Sequence, residues 1–196
     1  MFSEICSSPK SRFAVFLDRD GVINEEINLL HRKEDIRLIG GSAEGIKLLN
    51  NAGIPAIIVT NQPVVARGLC TYDEAIEINR YIIALLAEQG AKIDGIYFCP
   101  HSAKADVPEY RKDCKFRKPN AGMLEQAACD FKVALGESYV VGDMARDILA
   151  GKNAGCKTIL VRTGHAGRDG FFTARPDMTC KNLLEAAKAM LAQRAE

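Results

Sequence analysis

Neither sign of charge is in excess in this chain. It carries 26 basic residues against 25 acidic ones, a formal net charge of +1. Proteins that bind nucleic acid or an anionic membrane through their overall field carry a basic surplus, so neither partner is expected. No apolar run reaches the ~18 residues needed to cross a bilayer, and residues 1–12 are polar, without the apolar stretch of a secretory leader. The seven cysteines are odd in number and scattered, unlike a disulfide framework. These absences point to a reduced, cytoplasmic protein. There is no internal repeat and no low-complexity tract. What remains is ordinary globular composition, 47% hydrophobic and 26% charged. A single domain over residues 1–196, acting as a monomer, is expected, long enough to build a core without disulfides.

Short apolar runs alternate with amphipathic stretches along the chain. Residues 13–17, 55–60, 95–99, 138–141 and 157–161 read as buried strands, and 178–180 as a short edge strand. Helices are expected over 42–52, with Ser42 as N-cap and Gly53 beyond the end, and over 72–89, stopped by Gly90. Further helices are expected over 121–129, 145–154 and 183–193. The strands are solid apolar runs rather than alternating ones. That implies an α/β fold with an open parallel sheet and helices on both faces. Residues 19–40 form a long polar flap. Residues 99–119 contain Pro100, Pro108 and Pro119 without periodicity and read as an insertion loop; 163–176 reads as another loop.

In such sheets ligands sit beyond the carboxyl ends of the strands. The unusual polar residues fall there: Asp18 and Asp20 after the first strand, Thr60 and Asn61 after the second, Cys99 and His101 at the third, Asp143 after the fourth. Any one could serve a turn; their convergence is what suggests a site. Asp18, Asp20 and Asp143 make an oxygen-rich set that suits Mg²⁺. A carboxylate beside Mg²⁺ can attack phosphorus, and a second can protonate the leaving oxygen. Thr60 and Lys118 supply a hydroxyl and a cation for phosphoryl oxygens.

Asp18-Arg-Asp-Gly-Val22, Val59-Thr-Asn-Gln62, Arg117-Lys-Pro119 and Gly142-Asp-Met-Ala-Arg-Asp147 resemble, in order and spacing, the four motifs of haloacid dehalogenase-like (HAD) phosphatases. Val65-Ala-Arg-Gly68, Tyr97-Phe-Cys-Pro-His101 and Cys114 narrow the resemblance to the D-glycero-D-manno-heptose 1,7-bisphosphate phosphatases, with histidinol-phosphate phosphatases as near relatives. The likeness runs from about Phe13 to Gly164. It implies a Rossmann-like HAD fold without a large cap domain, and a phosphatase that removes the 7-phosphate through an aspartyl-phosphate. It further implies Asp18 as nucleophile, Asp20 as general acid/base, Thr60 and Lys118 as phosphate ligands, and Asp143 as a Mg²⁺ ligand. Arg117, with Arg67, would read a second phosphate. Asn61, Gln62, Glu26 and Asn28 are further candidates for substrate contact.

Three departures from the family pattern matter. Its loop carries four zinc ligands; Cys99, His101 and Cys114 match, but Phe116 stands at the fourth position and cannot bind metal. Pro63 stands where the phosphate loop usually has Ser and offers neither N–H nor hydroxyl. Met144 replaces a frequent Lys. Two other readings stand beside the sugar bisphosphate phosphatase: a histidinol-phosphate phosphatase or another small phosphomonoesterase, and a degenerate phosphate-binding domain without activity. The intact Asp18, Asp20, Lys118 and Asp143 weigh against the last. His31 and His165 read as solvated loop residues.

Overall fold

In a computed structural model, residues 1–6, 11–168 and 173–193 are described. In chain order the elements are β1 (Phe2–Ile5), β2 (Val15–Leu17), α1 (Ser42–Asn51), β3 (Ala56–Asn61), α2 (Pro63–Ala66), α3 (Tyr72–Glu88), β4 (Gly95–Cys99), α4 (Gly122–Phe131), β5 (Tyr139–Gly142), α5 (Ala145–Asn153), β6 (Lys157–Val161), β7 (Met178–Cys180) and α6 (Leu183–Gln193). The strands form one seven-stranded sheet in the order β1-β4-β3-β2-β5-β6-β7.

The apolar runs are solid because both faces of the sheet are covered. Val15 and Leu17 of β2 point into a core shared with Ile46 of α1, Ile82 of α3 and Ala187 of α6. Phe16, between them, points the other way, against Leu124 and Ala127 of α4. Ile58 and Ile57 of β3 divide between the two cores in the same manner. α3 begins with a capping box: the Thr71 hydroxyl accepts from the Glu74 N–H, and the Glu74 carboxylate accepts from the Thr71 N–H.

The open parallel α/β sheet is as expected, with an antiparallel strand added at one edge. Six strands run parallel, but β1 pairs antiparallel with β4, Phe2 opposite Phe98. Its sequence, Phe-Ser-Glu-Ile, alternates half-buried and exposed positions, as an edge strand with one free face does. α2 is also unanticipated; it is four residues long and starts at Pro63, whose fixed φ suits a first helical turn. Ser42 is not the N-cap of α1. Gly41 takes that position in a left-handed conformation, and the Ser42 hydroxyl is buried without a partner.

Strand order sets the location of the site. From β2 the chain moves to β3 on one side, and from β5 to β6 on the other. The crevice between the carboxyl ends of β2 and β5 is therefore the switch point of the sheet, where open α/β folds bind ligands. Among the described residues no helix is long and apolar enough to cross a membrane.

Candidate active site

A cavity of about 370 Å³ opens over that crevice. Asp18, Asp20, Thr60, Asn61, Gln62, Arg67, Arg117, Lys118, Glu26 and Asn28 all border it, so the strand-end residues read from the sequence do converge. Their roles within it differ.

Asp18 leaves the end of β2, and its carboxylate accepts from the Arg19 N–H at 2.7 Å. Lys118, only 3% exposed, comes from the loop before α4. Its ammonium lies 2.9 Å from Asp18 and 2.6 Å from Asp147, and it donates to the Val59 carbonyl at 2.9 Å. Burial alone would discharge this lysine. The Asp147 and Asp18 carboxylates outweigh that and hold its pKa above the usual value. Asp147 sits one turn into α5 and also accepts from the Met144 N–H, capping the helix. The sequence reading gives it no role of its own, because at an interior helical position it looks like an ordinary first-turn acid.

Asp143 is fully buried at the end of β5. One oxygen accepts from the His165 N–H at 2.7 Å; the other has no hydrogen-bond partner. Gly21, at φ +80°, and Gly164, at φ +59°, flank this carboxylate so closely that a Cβ on either would collide with it. Asp18, Asp143 and Asp147 bring oxygens within 4.8 Å of one another. Burial, together with the mutual repulsion of these acids, raises the pKa of both Asp18 and Asp143. Three buried carboxylates with one lysine between them lack positive charge, and an unpartnered oxygen of Asp143 marks where it is missing. Mg²⁺, a hard cation that takes carboxylate oxygens, fits this set.

Asp20, also expected to share the cation, lies outside that three-carboxylate cluster. It is engaged by Arg19 at 2.8 Å, by Asn24 at 2.8 Å and by Gln62 at 2.9 Å. Gln62 and Asn61 border the cavity and are also tied down by hydrogen bonds. The Gln62 amide donates to Asp20 and Thr60 and accepts from Arg19. The Asn61 amide exchanges two hydrogen bonds with the backbone of Lys118, both at 3.0 Å. Gln62 thus braces Asp20 and Thr60, and Asn61 braces the Lys118 backbone. His165 is no solvated bystander: it borders the cavity, and its imidazole lies 3.9 Å from Glu26 of the flap. His31 makes its contact with the Leu29 carbonyl.

Away from the acidic cluster the cavity is lined by Arg67, Arg117, Arg146 and Arg168. Arg117 donates to the His101 carbonyl at 2.7 Å. Burial lowers its pKa, and the positive charges of Arg146 and Arg67 lower it further, so three guanidiniums act on one region. Arg146 escaped the sequence reading because it looks like a solvated residue of a helix.

Cys99, His101 and Cys114 also come together, their ligand atoms within 4.8 Å. Burial pushes the Cys99 thiol up to about 11 and, with nearby Lys112, takes His101 down to about 4. Phe116, at the position of the absent fourth ligand, packs against the core that holds Cys99 and Cys114.

Comparisons with known proteins agree with this geometry. Residues 115–186 match the HAD-hydrolase-like family. A D-glycero-D-manno-heptose-1,7-bisphosphate 7-phosphatase of Thermosynechococcus vestitus is 40% identical over 185 residues, covering 90% of this chain and 94% of the relative. A D-glycero-alpha-D-manno-heptose-1,7-bisphosphate 7-phosphatase of Photorhabdus laumondii is 42% identical over 151 residues, 76% of this chain and 82% of the relative. Among solved structures, the D,D-heptose 1,7-bisphosphate phosphatase of B. bronchiseptica, complexed with magnesium and phosphate, superposes with a TM-score of 0.82 at 30% identity, covering 93% of this chain and 99% of that one.

Proposed function

The chain belongs to the D-glycero-D-manno-heptose-1,7-bisphosphate 7-phosphatase family of HAD-like hydrolases, and from that premise we propose that it removes the 7-phosphate of a heptose 1,7-bisphosphate. The observation that carries the reading is the buried Asp18–Lys118–Asp147 chain beside Asp143 at the switch point of the sheet.

Asp18 is the nucleophile. Its oxygen forms a bond to the 7-phosphorus, and the bond from phosphorus to the sugar oxygen breaks. Asp20 donates the proton that the leaving oxygen takes up. It then accepts one from the water that hydrolyses the aspartyl-phosphate and releases inorganic phosphate. Lys118 and the Thr60 hydroxyl hold phosphoryl oxygens. Mg²⁺ would be held by Asp18 and Asp143, with Asp147 in reach, and would screen the repulsion between carboxylate and phosphate. Arg117 and Arg67, joined by Arg146, face the second phosphate. That pocket favours a bisphosphate over histidinol phosphate, which carries one phosphate and an amine. Glu26 and Asn28 meet the sugar from the flap. The free cysteines suit a reducing cytoplasm. We take the enzyme to act as a monomer organised as a single domain.

For the cysteine loop we read zinc as structural at most, weakly held by Cys99, His101 and Cys114, or dispensable. The test of the main proposal is a turnover panel with both heptose 1,7-bisphosphate anomers, fructose bisphosphate and histidinol phosphate, with and without Mg²⁺. A heptose bisphosphate should give the highest kcat/KM. Preference for histidinol phosphate, or full activity after exhaustive chelation, would overturn it.

A further inference from the structure

Arg19 is 1% exposed, an unusual place for a guanidinium, and no part of the mechanism above uses it. Its surroundings account for it. Nε and Nη2 both reach Asp20, at 3.1 and 2.8 Å; Nη2 also donates to Gln62 at 2.9 Å; Nη1 donates to the side-chain oxygen of Asn79 at 2.8 Å. Asn79 lies in the middle of α3, 60 residues from Arg19 in sequence, and is itself 1% exposed. It interrupts the apolar face formed by Ala75, Ile78, Ile82 and Leu86. Its amide nitrogen has no partner. An apolar residue would satisfy that helix face at lower cost. What the asparagine adds is one acceptor oxygen, and that oxygen meets Arg19.

A guanidinium is planar, so fixing one edge fixes the direction of the others. Asn79 fixes the Nη1 edge, and the Nε–Nη2 edge in turn fixes the Asp20 carboxylate. We propose that Asn79 is a positioning residue for leaving-group protonation, acting on Asp20 through Arg19. This rests on the assignment of Asp20 as the acid made above. Without Asn79, a buried N–H of Arg19 loses its acceptor, the plane can turn, and Asp20 turns with it.

The readout is sensitivity to the leaving group. A sugar alkoxide needs a proton as it departs, whereas nitrophenolate does not. Because kcat/KM reports events up to the first phosphoryl transfer, it isolates the acid step from later hydrolysis. Wild type, Asn79→Ala, Asn79→Asp and Asp20→Asn are compared on nitrophenyl phosphate and on the sugar phosphate that wild type turns over best. Asn79→Ala should lose about tenfold on the sugar phosphate, a fraction of what general acid catalysis supplies, and less than about twofold on nitrophenyl phosphate. Asn79→Asp keeps an acceptor oxygen and should recover most of the loss. If Asn79→Ala does not fold, Asn79→Leu removes the acceptor with the volume filled and carries the same comparison. Equal losses on both substrates, no loss on either, or no recovery in Asn79→Asp would overturn the proposal. The control separates two failures. If Asp20→Asn is itself insensitive to the leaving group, the assignment of the acid falls and the proposal with it. If Asp20→Asn is sensitive and Asn79→Ala is not, only the positioning role falls.

Discussion

Two buried clusters in this molecule have the composition of a metal site, and they have opposite needs. Asp18, Asp143 and Asp147 are acids crowded together out of water; burial and repulsion push the pKa values of Asp18 and Asp143 up, one lysine serves the three, and an oxygen of Asp143 has no partner. In the cluster of Cys99, His101 and Cys114, burial pushes the Cys99 thiol up and His101 down, so both favour their neutral forms, and Phe116, at the sequence position of the fourth ligand, packs against the core that holds the two cysteines. The first cluster has one lysine for three carboxylates; in the second, burial favours the uncharged Cys99 thiol and His101 imidazole. Proximity of ligands is common to both. What separates them is whether a bound cation would relieve a repulsion among the ligands: three crowded carboxylates repel one another, whereas a thiol and a neutral imidazole do not.

The strongest way to break this comparison is to remove the carboxylate proposed as nucleophile. Asp18→Asn should keep the fold by circular dichroism and lose turnover by on the order of 10⁴-fold or more, since an amide does not attack phosphorus. Turnover near wild type would move the chemistry elsewhere. Asp143→Asn tests the charge deficit itself. It should abolish activation by Mg²⁺ while stabilising the metal-free protein by about 1–2 kcal/mol at neutral pH, because the buried acid must take up a proton or face its neighbours' repulsion on folding and the amide does neither. A thermal melt in chelator reads the second effect, and a lower melting temperature would contradict it. Phe116→Cys should change least. Bound zinc should rise towards one per chain by elemental analysis, and zinc should then stiffen the loop against proteolysis. In the unmodified protein, chelator should barely shift the melting temperature. Stoichiometric zinc that resists chelation there would mean that another residue completes the site.

The parallel strands were legible because burial on both faces leaves unbroken apolar runs, as in Ala56–Asn61 and Gly95–Cys99. β1 was not, since Ser3 and Glu4 sit in a strand of which half faces outward. The cavity-lining groups of the site were legible where a polar residue follows such a run, as Asp18, Thr60 and Asp143 do. Residues that act through others left weaker traces. Asp147 and Asn79 lie inside helices, where a polar side chain is unremarkable until its neighbours are known. Arg19 stands between two aspartates and looks like part of a turn. The pairing of Asp20 was hidden for the same reason: spacing shows that two carboxylates share a turn, but not that a buried guanidinium meets one of them.

The antiparallel strand β1 also bears on how this protein behaves in crowded solution. β4 is buried along its whole length and carries Ile96, Tyr97 and Phe98. Without its neighbour it would present a row of open amide and carbonyl groups on an apolar strand, the surface on which copies of a chain add to one another. Phe2–Ile5 covers that row, helped by an ion pair between Glu4 and Arg80. At the opposite border β7 has three residues, too few to template much. A shortened chain lacking residues 1–6 would keep its catalytic groups and lose its guard against aggregation, so its yield and shelf life would fall before its activity did.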